Sequence, residues 1–310
     1  MLDVADVVVL LLGVACAGVG GELFVRGAIG LAAWARVPAR VIGTTVAAFA
    51  TSSPELSVGL QAAAAGEPAI ALGDALGSNV INLGLVLGIT IVFGSIRVRR
   101  RELRRDLAVA AAAPALAVAA LVDGSLVRAE AAVLVTTFVV WLTLITRQAL
   151  RDRAEAADTA ATTGWRAIAA AVVGLGVLVL AGRLVVVAAK GIGEQLGLDP
   201  FVVGATLVAV GTSAPELATS VVSCLRGHAD VGLGTVLGSN VFNTLWIVGV
   251  VGLLHPIEVP PGEVLVAVVA GVLGVALAVP DRSGTLARWR GAALVALVAA
   301  YSVVTVALGP

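Results

Sequence analysis

The chain has 310 residues, 59% hydrophobic and 13% charged, with a net charge of +0 and a mean hydropathy of +1.06. A soluble domain carries about 25% charged residues, so a soluble protein is excluded, and no nucleic-acid partner is expected of a chain without a basic excess. Apolar runs of about twenty residues, each long enough to cross a bilayer as a helix, recur throughout, and the fold class expected is an all-α integral membrane protein.

No Lys or Arg precedes Arg26. A basic leader region is therefore missing, and the first apolar run is expected to stay as a membrane helix with Cys16 unlipidated. The hydropathy pattern predicts spans at 4–34, 39–65, 68–94, 107–122 and 129–145. A polar connector at 147–164 follows, then spans at 165–196, 201–225, 231–254, 264–279 and 291–308. These are ten transmembrane helices: five in residues 1–146, the connector 147–164, and five in residues 165–310. The first and sixth spans exceed what a bilayer of about 30 Å requires, so both are expected to tilt. Cys16 and Cys224 lie inside apolar runs and form neither a disulfide framework nor a metal cluster; small-residue packing is their expected role.

Basic residues orient such a chain, because Lys and Arg stay on the cytoplasmic side. With the N-terminus outside, seventeen fall inside: Arg26, Arg36 and Arg40, the cluster from Arg97 to Arg105, Arg147, Arg151, Arg153 and Arg166, Arg226, and Arg282, Arg288 and Arg290. Only Arg128, Arg183 and Lys190 fall outside. Both termini are thus expected to be extracytoplasmic and the connector cytoplasmic, in a multi-pass protein of the cell (inner) membrane.

An internal repeat organises the sequence. Sliding 43–88 onto 204–249 needs no gap and matches 18 of 46 residues. Each half holds an odd number of spans, so the halves enter the membrane in opposite directions, the inverted repeat found in many secondary transporters. The matches centre on Thr51-Ser52-Ser53-Pro54-Glu55 against Thr212-Ser213-Ala214-Pro215-Glu216 and on Gly77-Ser78-Asn79 against Gly238-Ser239-Asn240, with Asn82 against Asn243. An ionisable residue at membrane depth is a functional candidate by default. Pro54 and Pro215 lack an N–H and clash with the preceding turn, freeing carbonyls near 50–51 and 211–212, which persist only beside a polar cavity or a partner. Thr51, Ser52 and Glu55 share a helical face, as do Ser78 with Asn82 and Ser239 with Asn243. Two carboxylates with carbonyls and hydroxyls form an all-oxygen cage of the kind Ca²⁺ takes, with six to eight ligands. Interhelical hydrogen bonding alone stays open for Asn82 and Asn243, and Ser53, matched by Ala214, is given no ligand role.

The doubled T-S-x-P-E and G-S-N-x-x-N pattern resembles the alpha repeats of the cation/Ca²⁺ exchanger superfamily, and among its groups the prokaryotic sodium/calcium exchangers. The resemblance implies that Glu55 and Glu216 bind Ca²⁺ with the Thr51 and Thr212 carbonyls. Na⁺ would take overlapping positions drawing on Ala48, Thr51, Ser52 and Glu55 and on Ala209, Thr212, Ser213 and Glu216. Ser78, Asn82, Ser239 and Asn243 would border a central position, and long first and sixth helices would slide across the core to switch access. Ala50 stands where a glycine is common and Asp74 where an asparagine is common; Asp74 is open between tuning cation passage, holding a proton and a solvated charge. Asn243 stands where some members carry an aspartate, which argues against potassium dependence. Glu22 and Arg183 hold equivalent places in the first and sixth spans, and each either faces the bundle or snorkels.

A site of charge −2 balances one Ca²⁺ and cannot hold Ca²⁺ and several Na⁺ together, so competition gives exchange. The expected function is Na⁺/Ca²⁺ antiport by alternating access, electrogenic and extruding Ca²⁺, with Ca²⁺/H⁺ antiport as the alternative and a cation channel as the rival of another class. The transported ions and the lipid bilayer are the expected partners. A monomer suffices, no cofactor is expected, and His228 and His255 support neither a catalytic triad nor a zinc site, so the chain is not read as an enzyme.

Overall fold

The structure is a computed structural model; it describes residues 4–37, 39–64, 66, 68–93, 96–97, 100–152, 164–195, 209–258 and 261–308. The chain is predominantly helical because a backbone in hydrocarbon must satisfy its own N–H and C=O groups. In order, the helices of the first half are α1 (Val4–Ala35), α2 (Ala39–Ile42), α3 (Ala48–Thr51), α4 (Ser53–Ala64), α5 (Pro68–Ile81), α6 (Leu87–Phe93), α7 (Arg100–Ala120) and α8 (Arg128–Asp152). The second half holds α9 (Gly164–Gln195), α10 (Ala209–Thr212), α11 (Ala214–Leu225), α12 (Ala229–Val241), α13 (Val248–Leu254), α14 (Pro261–Leu277) and α15 (Arg288–Leu308). Wider π-type turns join several of these end to end: Gly43–Ala47 between α2 and α3, Asn82–Val86 between α5 and α6, and Phe242–Ile247 between α12 and α13.

Five stretches among the described residues are long and apolar enough to cross a membrane: Val4–Ala35, Ala71–Phe93, Arg128–Ala149, Gly164–Leu184 and Ala229–Leu254. Their burial separates them into two layers. Ala71–Phe93 and Ala229–Leu254 are 78% and 83% buried, whereas Val4–Ala35, Arg128–Ala149 and Gly164–Leu184 are 24%, 17% and 28% buried. The peripheral helices present Leu11, Val19, Val139, Val140, Val172 and Val173 outward, an apolar exterior suited to lipid rather than water.

The helical limits differ from the hydropathy reading where polar residues propagate a helix well. The fourth predicted span, 107–122, is preceded by about two further turns, because Arg, Glu and Leu are strong helix formers and α7 begins at Arg100. For the same reason α8 runs to Asp152, through the first residues of the polar connector; 153–163 lie outside the described residues. So do 201–208, the beginning of the seventh predicted span.

Close approach defines the packing. A Cβ at Gly27 would lie 2.3 Å from the Ala171 backbone nitrogen, and one at Gly174 2.4 Å from that of Phe24. The two longest helices, α1 and α9, therefore touch backbone to backbone in the small-residue manner of membrane helix pairs. Two short antiparallel pairs tie the halves at their ends, Ile96↔Leu286 with Arg97↔Thr285, and Ser125↔Glu258 with Leu126↔Ile257. The first brings the connections that hold Arg97 and Arg282 onto one face.

Candidate functional site

Both motif helices break where proline demands it. Pro54 offers no N–H to the preceding turn, and the chain leaves helical geometry at Ser52, with φ −85° and ψ 14°. The second half repeats this at Ser213, with φ −80° and ψ 5° ahead of Pro215. The broken turns are re-anchored, Ser52 N–H donating to the Ala48 carbonyl and Ser213 N–H to that of Ala209 at 3.0 and 3.1 Å. Each break places its glutamate in the first turn of the next helix, Glu55 in α4 and Glu216 in α11, where the helix dipole favours negative charge.

All twelve residues singled out from the sequence are buried. Thr51, Ser52, Glu55, Ser78, Asn82, Glu216, Ser239 and Asn243 are 0% exposed, Ala48, Ala209 and Ser213 1%, and Thr212 4%. The halves meet at Glu216: Ser52 Oγ donates to Glu216 Oε1 at 2.8 Å and Ser239 Oγ donates to the same oxygen at 3.2 Å. Ser239 Oγ also points at the Ala48 carbonyl, at 3.5 Å. Close backbone approach makes this possible, since a Cβ on Gly238 would fall 2.3 Å from the Thr44 carbonyl oxygen. Thr51 and Thr212 turn their hydroxyls back to backbone carbonyls, Ala47 at 3.0 Å and Ala209 at 3.1 Å. Ser53 likewise donates to Phe49 O, at 3.2 Å, on an exposed face.

What lacks a partner is as informative. Both Glu55 carboxylate oxygens, Glu216 Oε2, Ser78 Oγ, Ser213 Oγ and every side-chain N and O of Asn82 and Asn243 are buried without a hydrogen bond. A buried carboxylate is strongly disfavoured without compensating charge or donors. Oxygens of this kind, contributed by both halves and converging on one region, fit a hard cation. The two glutamates are not equivalent here: Glu216 holds two hydroxyl donors, while neither oxygen of Glu55 holds any.

The asparagines at the centre of each G-S-N, to which the sequence alone assigns no role, join the two halves. Asn79 Nδ2 donates to Thr244 Oγ1 at 2.6 Å and Asn240 Nδ2 to the Asn79 carbonyl at 3.1 Å, crosslinking the halves behind the cage. Their presence in both copies of the repeat was the available signal. Glu22 faces the bundle: it pairs with Arg26 at 2.5 Å and with Arg226 at the end of α11, whereas Arg183 is exposed. Asp74 is half-buried one turn before Ser78.

The family described as sodium/calcium exchanger protein matches residues 5–147 and 166–307. The chain belongs to the sodium/calcium exchanger family. Among similar members, "Putative antiporter CaxA" of Alkalimonas amylolytica is 34% identical over 76% of each chain. "Sodium/calcium exchanger MaX1" of Methanosarcina acetivorans is 26% identical over 96% of this chain and 97% of its own. Solved structures of the sodium-calcium exchanger NCX_Mj share the fold: one soaked with 2.5 mM Na⁺ and 0.1 mM Ca²⁺ superposes with a TM-score of 0.82, at 27% identity over the full length of both chains.

Proposed function

We propose that this exchanger-family chain is a secondary antiporter exchanging Na⁺ for Ca²⁺ at the Glu55–Glu216 site, by alternating access across a cell (inner) membrane. One observation carries the reading: two fully buried glutamates from opposite halves, one of them with both oxygens unpartnered. Glu55, Glu216 and the Thr51 and Thr212 carbonyls are the Ca²⁺ ligands. Na⁺ draws on the same groups together with Ala48, Ala209, Ser52 and Ser213, and Ser78, Asn82, Ser239 and Asn243 line the centre. Because the cage offers a charge of −2, one Ca²⁺ or a set of Na⁺ satisfies it, and simultaneous occupancy leaves excess positive charge. A change of access follows only if the two loaded forms differ in their preference for the two conformations.

The architecture that goes with this reading is ten crossings in two inverted five-helix repeats, 1–146 and 165–310, around the cytoplasmic connector 147–164, with both termini extracytoplasmic. The gap between the family matches, from 147 to 166, supports that division. The Arg97–Arg282 side of the molecule is then the cytoplasmic face. Export of Ca²⁺ driven by the sodium gradient is electrogenic.

Purified protein in liposomes loaded with Na⁺ is expected to take up ⁴⁵Ca²⁺ when diluted into Na⁺-free medium. Uptake that ignores Na⁺ and follows an imposed pH gradient instead would establish Ca²⁺/H⁺ antiport, and single-channel currents would establish a channel.

A further inference from the structure

Almost every unpartnered buried polar atom among the described residues belongs to the cation cage or to the Asn79 and Asn240 side chains behind it. The exceptions are Thr219 Oγ1 and Ser223 Oγ, both on α11 and both on residues 0% exposed. A hydroxyl inside a helix ordinarily satisfies itself on the carbonyl one turn back, and Thr45, Thr90, Thr136, Thr137, Thr143 and Thr235 all do so, at 2.7–3.0 Å. Thr219 and Ser223 do not, and in this they resemble Ser78 and Ser213 of the cage itself.

Their direction is fixed by the helix. At about 100° per residue, Glu216, Thr219 and Ser223 fall within about 60° of arc, one above another. To one side of this stripe α11 meets α1, where a Cβ on Gly21 would lie 3.2 Å from Ala218 and Arg226 pairs with Glu22. To the other side it meets α12, where Ser220 Oγ donates to the Gly232 carbonyl at 3.2 Å. Thr219 and Ser223 therefore point into the seam between α1 and the α11–α12 pair, on a line from Glu216 to the Arg226 end of α11. The equivalent places in the other half are Val58 and Ala62, so the line is built on one side of the cage only.

We propose that this seam is the passage by which partly hydrated Ca²⁺ and Na⁺ move between Glu216 and the Arg-rich face, closed in the present conformation and opened when α1 shifts along α11. The two hydroxyl oxygens replace waters of the ion's shell in steps, and the Glu22–Arg226 pair seals the end. A hydroxyl left without a partner in a closed, apolar seam is unfavourable; here it gains its partners from ions and water when the seam opens. The proposal rests on the exchange reading of the cage.

The test uses full-length protein in liposomes, on a Cys16→Ala, Cys224→Ala background. Thr219→Cys and Ser223→Cys are expected to react with a membrane-impermeant thiol reagent applied at the Arg-rich face, several-fold faster than from the opposite face, and saturating Ca²⁺ is expected to slow the reaction. Reactivity no greater than that of the outward-facing control Val172→Cys, or reaction only from the opposite face, overturns the proposal. The pair Thr219→Val, Ser223→Ala is expected to raise the half-saturating Ca²⁺ concentration at the Arg-rich face about fivefold, leaving the opposite face unchanged. An equal change at both faces, or none, contradicts it. If the unsubstituted chain showed no sodium-dependent flux, the exchange reading would fall, while the labelling, which needs no transport, would still decide the passage.

Discussion

Glu55 and Glu216 occupy matching places in the repeat, yet their surroundings differ, and the difference has consequences for single substitutions. Glu55→Gln and Glu216→Gln each remove half the formal charge of the cage and are expected to abolish ⁴⁵Ca²⁺ uptake by liposomes; full activity in either variant would remove that residue from the site. Ser52 donates to Glu216 across the halves, and a hydrogen bond to a charged group is worth about 1.5–3 kcal/mol. Ser52→Ala is therefore expected to weaken Ca²⁺ binding at least about tenfold, read by calorimetric titration in detergent. Thr244 sits behind the cage and accepts from Asn79. Thr244→Val leaves a buried amide unpaired, so a loss of about 1–3 kcal/mol in stability is expected in thermal unfolding, with the half-saturating Ca²⁺ concentration little changed. A large shift in Ca²⁺ affinity would instead place Thr244 in the cage.

At the level of elements, backbone contact at Gly27 and Gly174 holds the long pair α1–α9 together, and under the exchange reading proposed above the two helices are expected to move as a unit. Gly27→Leu drives a side chain into the Ala171 backbone; such overpacking costs about 1–3 kcal/mol or more, and a lowered unfolding temperature with slowed exchange is expected. Among the contacts between α1 and α11 is the Glu22–Arg226 ion pair; the equivalent places in the other half hold Arg183 and Ala65, which cannot form one. Glu22→Gln loosens that one contact. The expected outcome is a shift of the conformational balance, seen as a faster reaction of Ser223→Cys from the Arg-rich face, with sodium-dependent uptake retained.

Over the whole molecule, the apolar runs make the helical membrane class and the approximate helix positions legible, and the gap-free repeat points to Glu55, Glu216 and the hydroxyls and asparagines that the structure finds buried; Ala48 and Ala209 come from the family resemblance alone. Helix ends were less legible. Hydropathy ends at Leu107, but Arg100 to Asp106 continue the helix because propensity, not apolarity, governs the interface. The unequal filling of Glu55 and Glu216 could not be read at all, since Ser52 and Ser213 are identical residues and only packing decides which hydroxyl reaches the opposite carboxylate. Nor could the asymmetric seam be weighed, because Thr219 and Ser223 read as ordinary helix residues until their hydroxyls prove unpartnered. The central claim is that one buried pair of glutamates is shared in turn by Ca²⁺ and Na⁺. Equilibrium ⁴⁵Ca²⁺ binding to the purified protein, titrated with NaCl at constant ionic strength, tests it most directly. Complete, cooperative displacement of Ca²⁺ by Na⁺ and loss of Ca²⁺ binding in Glu55→Gln are expected. Ca²⁺ that stays bound at saturating Na⁺, with choline and sodium equivalent, would contradict it.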